Sequence, residues 1–148
     1  MAALTFAAID VGSFEVEMGI YEISNRNKIR KLDQIRHVTA LGKDTYNNGK
    51  ISYEMVEELC DVLADFARIM KSYKVTEYRA YATSAMREAR KNRIVLDQIR
   101  VRTGLQVRII SNSEQRFLGY TAIAVSDDEF DENIPQGTAI VAVGLGRM

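Results

Sequence analysis

The stretch that most constrains this chain is Phe6-Ala7-Ala8-Ile9-Asp10-Val11-Gly12-Ser13, close to the N-terminus. An unbroken apolar run predicts a strand buried on both faces. It ends in a lone Asp, then a Gly and a Ser. A carboxylate buried at a strand end is costly unless something cationic meets it. Gly-Ser directly beyond permits a tight turn whose backbone N–H groups can face an anion. Two readings stand side by side: a strand–turn–strand phosphate loop with Asp10 facing a metal, or an ordinary hairpin corner with Asp in the turn.

The rest of the chain supplies a setting for that loop. Phe14 to Ile23 alternates (Phe14, Val16, Met18, Ile20 against Glu15, Glu17), which predicts a half-buried antiparallel partner. Ser24 to Asn27 is a turn cluster, and Lys28 to Leu41 a long charged strand suited to a sheet edge, with Ile29, Ile35 and Val38 as its apolar members. Lys43 to Lys50, rich in Asn and Gly, is expected to be a polar loop. Ser52 then offers an N-cap with Glu54 in the first turn. Met55, Leu59, Val62, Phe66, Ile69 and Tyr73 recur at helical steps, with Cys60 as a buried thiol among them.

Glu77 to Ala82 is a short strand that leads into Thr83-Ser84-Ala85-Met86-Arg87. Hydroxyls at a strand-to-helix junction can cap the helix and leave N–H groups for an anion. Arg87 has the bidentate charge that suits a phosphate, and also that of a surface salt bridge. Asn92 to Thr103 reads as a helix closed by Gly104, and Leu105 to Ile110 as a strand. Ser111-Asn112-Ser113-Glu114 has capping-box spacing, and the helix it opens runs to about Ala124, with Phe117, Leu118 and Ala122 on its buried face. Ser126 to Gly137 is an acidic loop. Thr138 to Val143 is a last strand running into Gly144-Leu145-Gly146-Arg147-Met148. Three antiparallel strands followed by helix–strand pairs predict a mixed α/β sheet, its later strands parallel and its helices on both faces. Binding residues belong where strand ends meet helix starts.

Composition removes several classes of function. Lys+Arg and Asp+Glu balance at 20 each, which gives no hint of nucleic acid or an anionic membrane as partner. With one Cys and one His, an internal disulfide is ruled out and a Cys/His zinc site is not expected. No run is long enough to span a bilayer, and the start lacks the basic segment of a secretory leader, so a cytoplasmic protein is expected. At 148 residues with 47% hydrophobic content, the chain suits one domain with a real core.

Ala8-Ile9-Asp10-Val11-Gly12-Ser13, Leu41-Gly42, Gly49-Lys50-Ile51-Ser52, Ala82-Thr83-Ser84-Ala85-Met86-Arg87, Thr103-Gly104-Leu105-Gln106-Val107 and Ile109-Ile110-Ser111 recur in an order and at spacings that resemble one family. It is the exopolyphosphatase / guanosine pentaphosphate phosphatase (Ppx/GppA) family, and the likeness is to its N-terminal domain. The resemblance covers almost the whole chain, and Ala-Thr-Ser-Ala-Met-Arg is its most specific piece. It implies an actin/Hsp70-like, ribonuclease H-like fold in which two domains face each other across a phosphate cleft. On that basis residues 1–148 form one such domain, with the second of the usual pair absent from this chain.

The resemblance also implies roles. Gly12, Ser13, Ser84 and Arg87 would bind phosphate together with Gly144 and Gly146 of a second loop, and Asp10 would hold Mg²⁺. Polyphosphate or a phosphorylated guanosine nucleotide would be the ligand. Phosphoryl transfer needs mainly positioning and charge neutralisation, with a carboxylate to deprotonate water.

Several positions depart from the family pattern. Phe14 replaces an Asn of the first loop. Gln115 stands at the presumed base, and an amide cannot accept that proton. Ala142 replaces the Asp of the second loop, Leu145 its middle Gly and Arg147 its Ser. Glu114 is left as a substitute catalytic base or simply as a helix cap. The expectation is an impaired domain acting as a binding or regulatory module; the rival is an active Mg²⁺-dependent phosphohydrolase completed by a second domain or subunit. A homodimer through the cleft face is a further expectation.

Overall fold

The N-terminal apolar run forms strand β1 (Leu4–Val11), and the turn after it feeds β2 (Glu15–Ile23). In this computed structural model residues 4–24 and 28–118 are described. β2 pairs antiparallel with β1, Val16 opposite Val11 and Glu17 opposite Asp10. β3 (Ile29–Val38) pairs antiparallel with β2 on its other side, with a bulge at Ile20/Tyr21. The chain then passes through α1 (Leu41–Asn48) and α2 (Tyr53–Ser72) to β4 (Glu77–Ala82), which lies parallel to β1 with Ala80 beside Ile9. α3 (Ser84–Glu88) and α4 (Asn92–Thr103) lead to β5 (Arg108–Ile109), parallel to β4. The order across the sheet is β3-β2-β1-β4-β5, the expected mixed α/β sheet with its charged strand at the edge.

Ala7, Ile9 and Val11 of β1 share one core with Val16, Met18 and Ile20 of β2, Ala80 and Ala82 of β4, and Leu59, Leu63 and Phe66 of α2. The opposite face of β1 is different: Ala8 and Asp10 are exposed. The expectation of burial on both faces is therefore corrected. α2 and α4 cover only the side to which the odd-numbered residues of β1 point. On the other face the chain is helical again at 112–118, where Glu114, Phe117 and Leu118 gather around Tyr81 and Arg108. Phe117 and Leu118 are exposed rather than buried. The residues to Ala124 over which that helix was expected to continue, the acidic stretch, the strand expected at 138–143 and the Gly-containing turn beyond it lie outside the described residues.

The main local departure is α1, where a polar loop was expected. Its sequence is a poor helix former, with Asp, Thr and two Asn among eight residues and a Gly at its second position. Tertiary contacts outweigh propensity. Leu41 is fully buried, the Gly42 N–H donates to the Ser13 carbonyl at 2.6 Å, and Thr45 Oγ1 donates to the Ala85 carbonyl at 2.9 Å. Gly49 ends the helix at φ 74°, a left-handed conformation that glycine adopts without strain. The third strand consequently stops at Val38, three residues short of expectation, and Ile29 and Val38 are exposed at the edge. β5 is also shorter than expected, two residues in place of six.

α2 follows its periodicity closely. Ser52 Oγ accepts from the Met55 N–H at 3.2 Å, and Met55, Leu59, Cys60, Val62, Leu63, Phe66 and Met70 form its buried face. α4 ends at Gly104, again left-handed at φ 77°. Among the described residues no helix is long and apolar enough to cross a membrane.

Candidate functional site

The carboxyl ends of β1 and β4 lie side by side, as parallel pairing of Val11 with Ala82 requires. Each strand runs directly into a serine. Ser13 sits in the β1–β2 turn and Ser84 opens α3; both are buried, and their Oγ atoms are 3.3 Å apart. The Thr83 N–H donates to the Val11 carbonyl at 3.3 Å, which ties the two junctions together. A third hydroxyl completes the group. Tyr46 of α1 places its phenolic oxygen 2.8 Å from Ser84 Oγ and 3.2 Å from Ser13 Oγ. Thr39 and Thr45 are also buried at this end of the sheet, and Thr39 Oγ1 has no hydrogen-bond partner among the described residues.

Gly12 holds the turn closed. Its N–H donates to the Glu15 carbonyl at 3.0 Å, and a Cβ at this position would meet that oxygen at 3.0 Å. This N–H is therefore engaged within the turn. Phe14, the next residue, is 38% exposed, so the turn presents an apolar side chain to solvent.

Arg87 is half-buried and committed on both arms. Nη1 donates to the Ile110 carbonyl at 2.7 Å and Nη2 to Asn112 Oδ1 at 2.5 Å. These bonds join α3 to the end of β5 and the helix that follows, a job distinct from either reading the sequence left open. An anion at this site would have to compete for the guanidinium.

Glu114 completes the capping box. Its carboxylate accepts from the Ser111 N–H at 3.4 Å while its own N–H donates to Ser111 Oγ at 3.1 Å. The same carboxylate pairs with Arg108 Nη1 at 2.9 Å, and that guanidinium lies 5.1 Å over the Tyr81 ring. The Ser111 N–H first, then Arg108, holds the Glu114 carboxyl below the usual glutamate range. Such a carboxylate is ionised but weakly basic. Gln115 lies beside it, its N–H engaged by the Ser111 carbonyl at 3.0 Å.

Asp10 points to the sheet face opposite the core. Although its side chain reaches solvent, neighbouring atoms strip much of the water from its carboxyl. This desolvation, with the charges of Glu17 and Glu15, pushes its pKa up to about 6. The direction would hold on the two glutamates alone. Mg²⁺ is usually held by one or two carboxylates, waters and substrate phosphate oxygens. Asp10 fits that role as a single donor, since a cation would relieve the crowding of three negative groups. No cluster of three or more metal-ligating side chains occurs among the described residues. Gly144 and Gly146 lie outside them.

Of the expected site residues, the structure thus brings Ser13 and Ser84 into contact, sets Asp10 near the end of β1 with its side chain away from the core, and places Arg87 and Glu114 in structural bonds. Tyr46 escaped notice because the segment carrying it read as a loop. The signal that could have found it is the Leu41/Thr45 pair at helical spacing, which sets Tyr46 beside the buried side of α1.

A mixed sheet that presents two strand-end turns side by side, with hydroxyls between them, has the layout in which α/β folds place their ligand sites. Residues 20–131 match the Ppx/GppA phosphatase family, and the chain belongs to it. Exopolyphosphatase 1 of Mycobacterium tuberculosis is 25% identical over 120 residues, which is 81% of this chain and 35% of that protein; the figures for the Mycobacterium bovis protein are the same. The chain therefore spans about a third of the length of these relatives. Among solved structures, the Ppx/GppA family member of Aquifex aeolicus superposes with a TM-score of 0.80 at 27% identity, covering 84% of this chain and 40% of that one. An exopolyphosphatase from Cytophaga hutchinsonii gives 0.70 at 25% identity, covering 74% and 35%.

Proposed function

We propose that this chain is the N-terminal domain of a Ppx/GppA-type protein whose phosphatase chemistry is impaired and which acts as a binding or regulatory module for a phosphate chain, polyphosphate or a phosphorylated guanosine nucleotide. The observation that carries this reading is the state of the carboxylates. Glu114, the one left next to the presumed base position, is held by its cap and by Arg108, with its proton affinity lowered. The residue at the base position, Gln115, is an amide. General-base catalysis needs a carboxylate within reach of water and with some appetite for its proton. Ser13 and Ser84, buried and adjacent, supply neutral hydroxyls that suit phosphate oxygens. Asp10 is the residue that would hold Mg²⁺, which would supply charge neutralisation along the phosphate chain.

The test is hydrolysis of long-chain polyphosphate and of guanosine pentaphosphate with Mg²⁺, run beside calorimetric binding of the same compounds. Binding without turnover is the expected result. Turnover by the native chain that Asp10→Ala or Glu114→Gln abolishes would overturn the impaired reading and favour an active phosphohydrolase.

A further inference from the structure

Tyr46 bonds both of the serines that the proposed function assigns to phosphate. Its phenolic oxygen lies 2.8 Å from Ser84 Oγ and 3.2 Å from Ser13 Oγ, and those two are 3.3 Å from each other. Three oxygens at these separations form a closed triangle, with no room between the serines for a phosphate oxygen. The phenol thus takes the position from which a ligand could bond both hydroxyls at once. α1 is held firmly against this end of the sheet by the Gly42 N–H to Ser13 carbonyl bond and by Thr45 on the Ala85 carbonyl. Tyr46 is 37% exposed, so its side chain has a route outward.

We propose that Tyr46 is a built-in stopper of the phosphate site: its hydroxyl satisfies Ser13 and Ser84 when no anion is bound, and an anion that uses both serines must first expel it. The inference rests on the proposed function in taking Ser13 and Ser84 as the phosphate-binding pair. The stopper gives each of the two buried hydroxyls a second partner beside the bond they share. It also sets a threshold. Every anion has to replace the same two hydrogen bonds before it gains any, a cost that only a ligand with further charges to bind elsewhere on the surface can offset.

The experiment is calorimetric titration of the full chain with inorganic tripolyphosphate at low salt, comparing the native protein with Tyr46→Phe and Tyr46→Ala. Loss of two neutral hydrogen bonds that compete with the ligand corresponds to a gain in affinity of about thirtyfold. Tyr46→Phe keeps the ring and its packing, so the gain should appear there even if Tyr46→Ala folds poorly. It should shrink when Ser13→Ala is added, because Tyr46 then competes for Ser84 alone. A merely structural tyrosine would leave binding unchanged or weaker on removal. Unchanged or weaker binding in Tyr46→Phe, with native binding still abolished by Ser84→Ala, would overturn the stopper and leave the phosphate-site reading intact. Absence of binding in all three proteins would overturn both.

Discussion

Asp10 shows how one carboxyl can cost stability. Its ordinary value of 3.8 rises to about 6 in the folded chain, with desolvation as the first cause and Glu17 and Glu15 of β2 as the next; Tyr81 stands at its register position on β4. Between those two pH values the folded state holds a proton that the unfolded state releases. Stability therefore falls as pH rises through this window and stays lower above it. Asp10→Asn removes the penalty. Because the side chain reaches solvent, the gain is discounted to about 1 kcal/mol, or roughly 3 °C in melting temperature, at pH 8 in the presence of a chelator. At pH 3.5 the variant and native melts should coincide. A variant that melts lower than the native chain at pH 8 would show that Asp10 holds a bond worth more than its crowding costs. Glu114 has the opposite sign: its lowered value gives stability that is present above the ordinary 4.5 and fades as pH falls.

At the scale of the element, α1 and α2 stand or fall together. Asp44 of α1 accepts from the Ser52 N–H at 3.0 Å and from Ser52 Oγ at 2.6 Å, while that same Oγ caps α2 through the Met55 N–H. One serine thus joins two helices. Ser52→Ala should cost about 1 kcal/mol for the lost cap. Asp44→Ala leaves the cap in place but strips the serine of its acceptor, and about 1–2 kcal/mol is expected, since hydrogen bonds to a charged group are the stronger kind. Urea denaturation measures both, and the double variant should lose less than the sum because the two share one network. Strict additivity would mean that the two helices are not coupled through this contact.

The whole molecule is a sheet covered on one side by α2 and α4 among the described residues, with the site at the carboxyl edge of its central strands. The core is deep enough that a single truncation is felt throughout. Leu63 is fully buried and shares the cluster that joins α2 to β1, β2 and β4. Leu63→Ala should cost about 2–5 kcal/mol by equilibrium denaturation, with the spread set by how far the neighbours can close the gap. Loss of only a fraction of 1 kcal/mol would mean that α2 is not seated on the sheet as described.

What the sequence determined by itself are the features whose cause fits within one short window. α2 has its apolar period and its Ser52 cap, α4 its Gly104 stop, Ser111 and Glu114 their reciprocal bonds, and β4 its six residues, all carried by neighbours in the chain. The family was legible for the same reason, since the Ala82 to Arg87 block is local. What only the tertiary structure decided rests on residues far apart in sequence. α1 is helical because Ser13 and Ala85 accept its bonds, not because its own residues favour a helix. β1 is buried on one face because the described helices of the core pack on that side, a fact its uniform apolar run cannot express. Tyr46, Ser13 and Ser84 meet across separations of 33 and 38 residues. No pattern within a segment encodes such a meeting: it follows from the parallel pairing of β1 with β4 and from the docking of α1 over their ends.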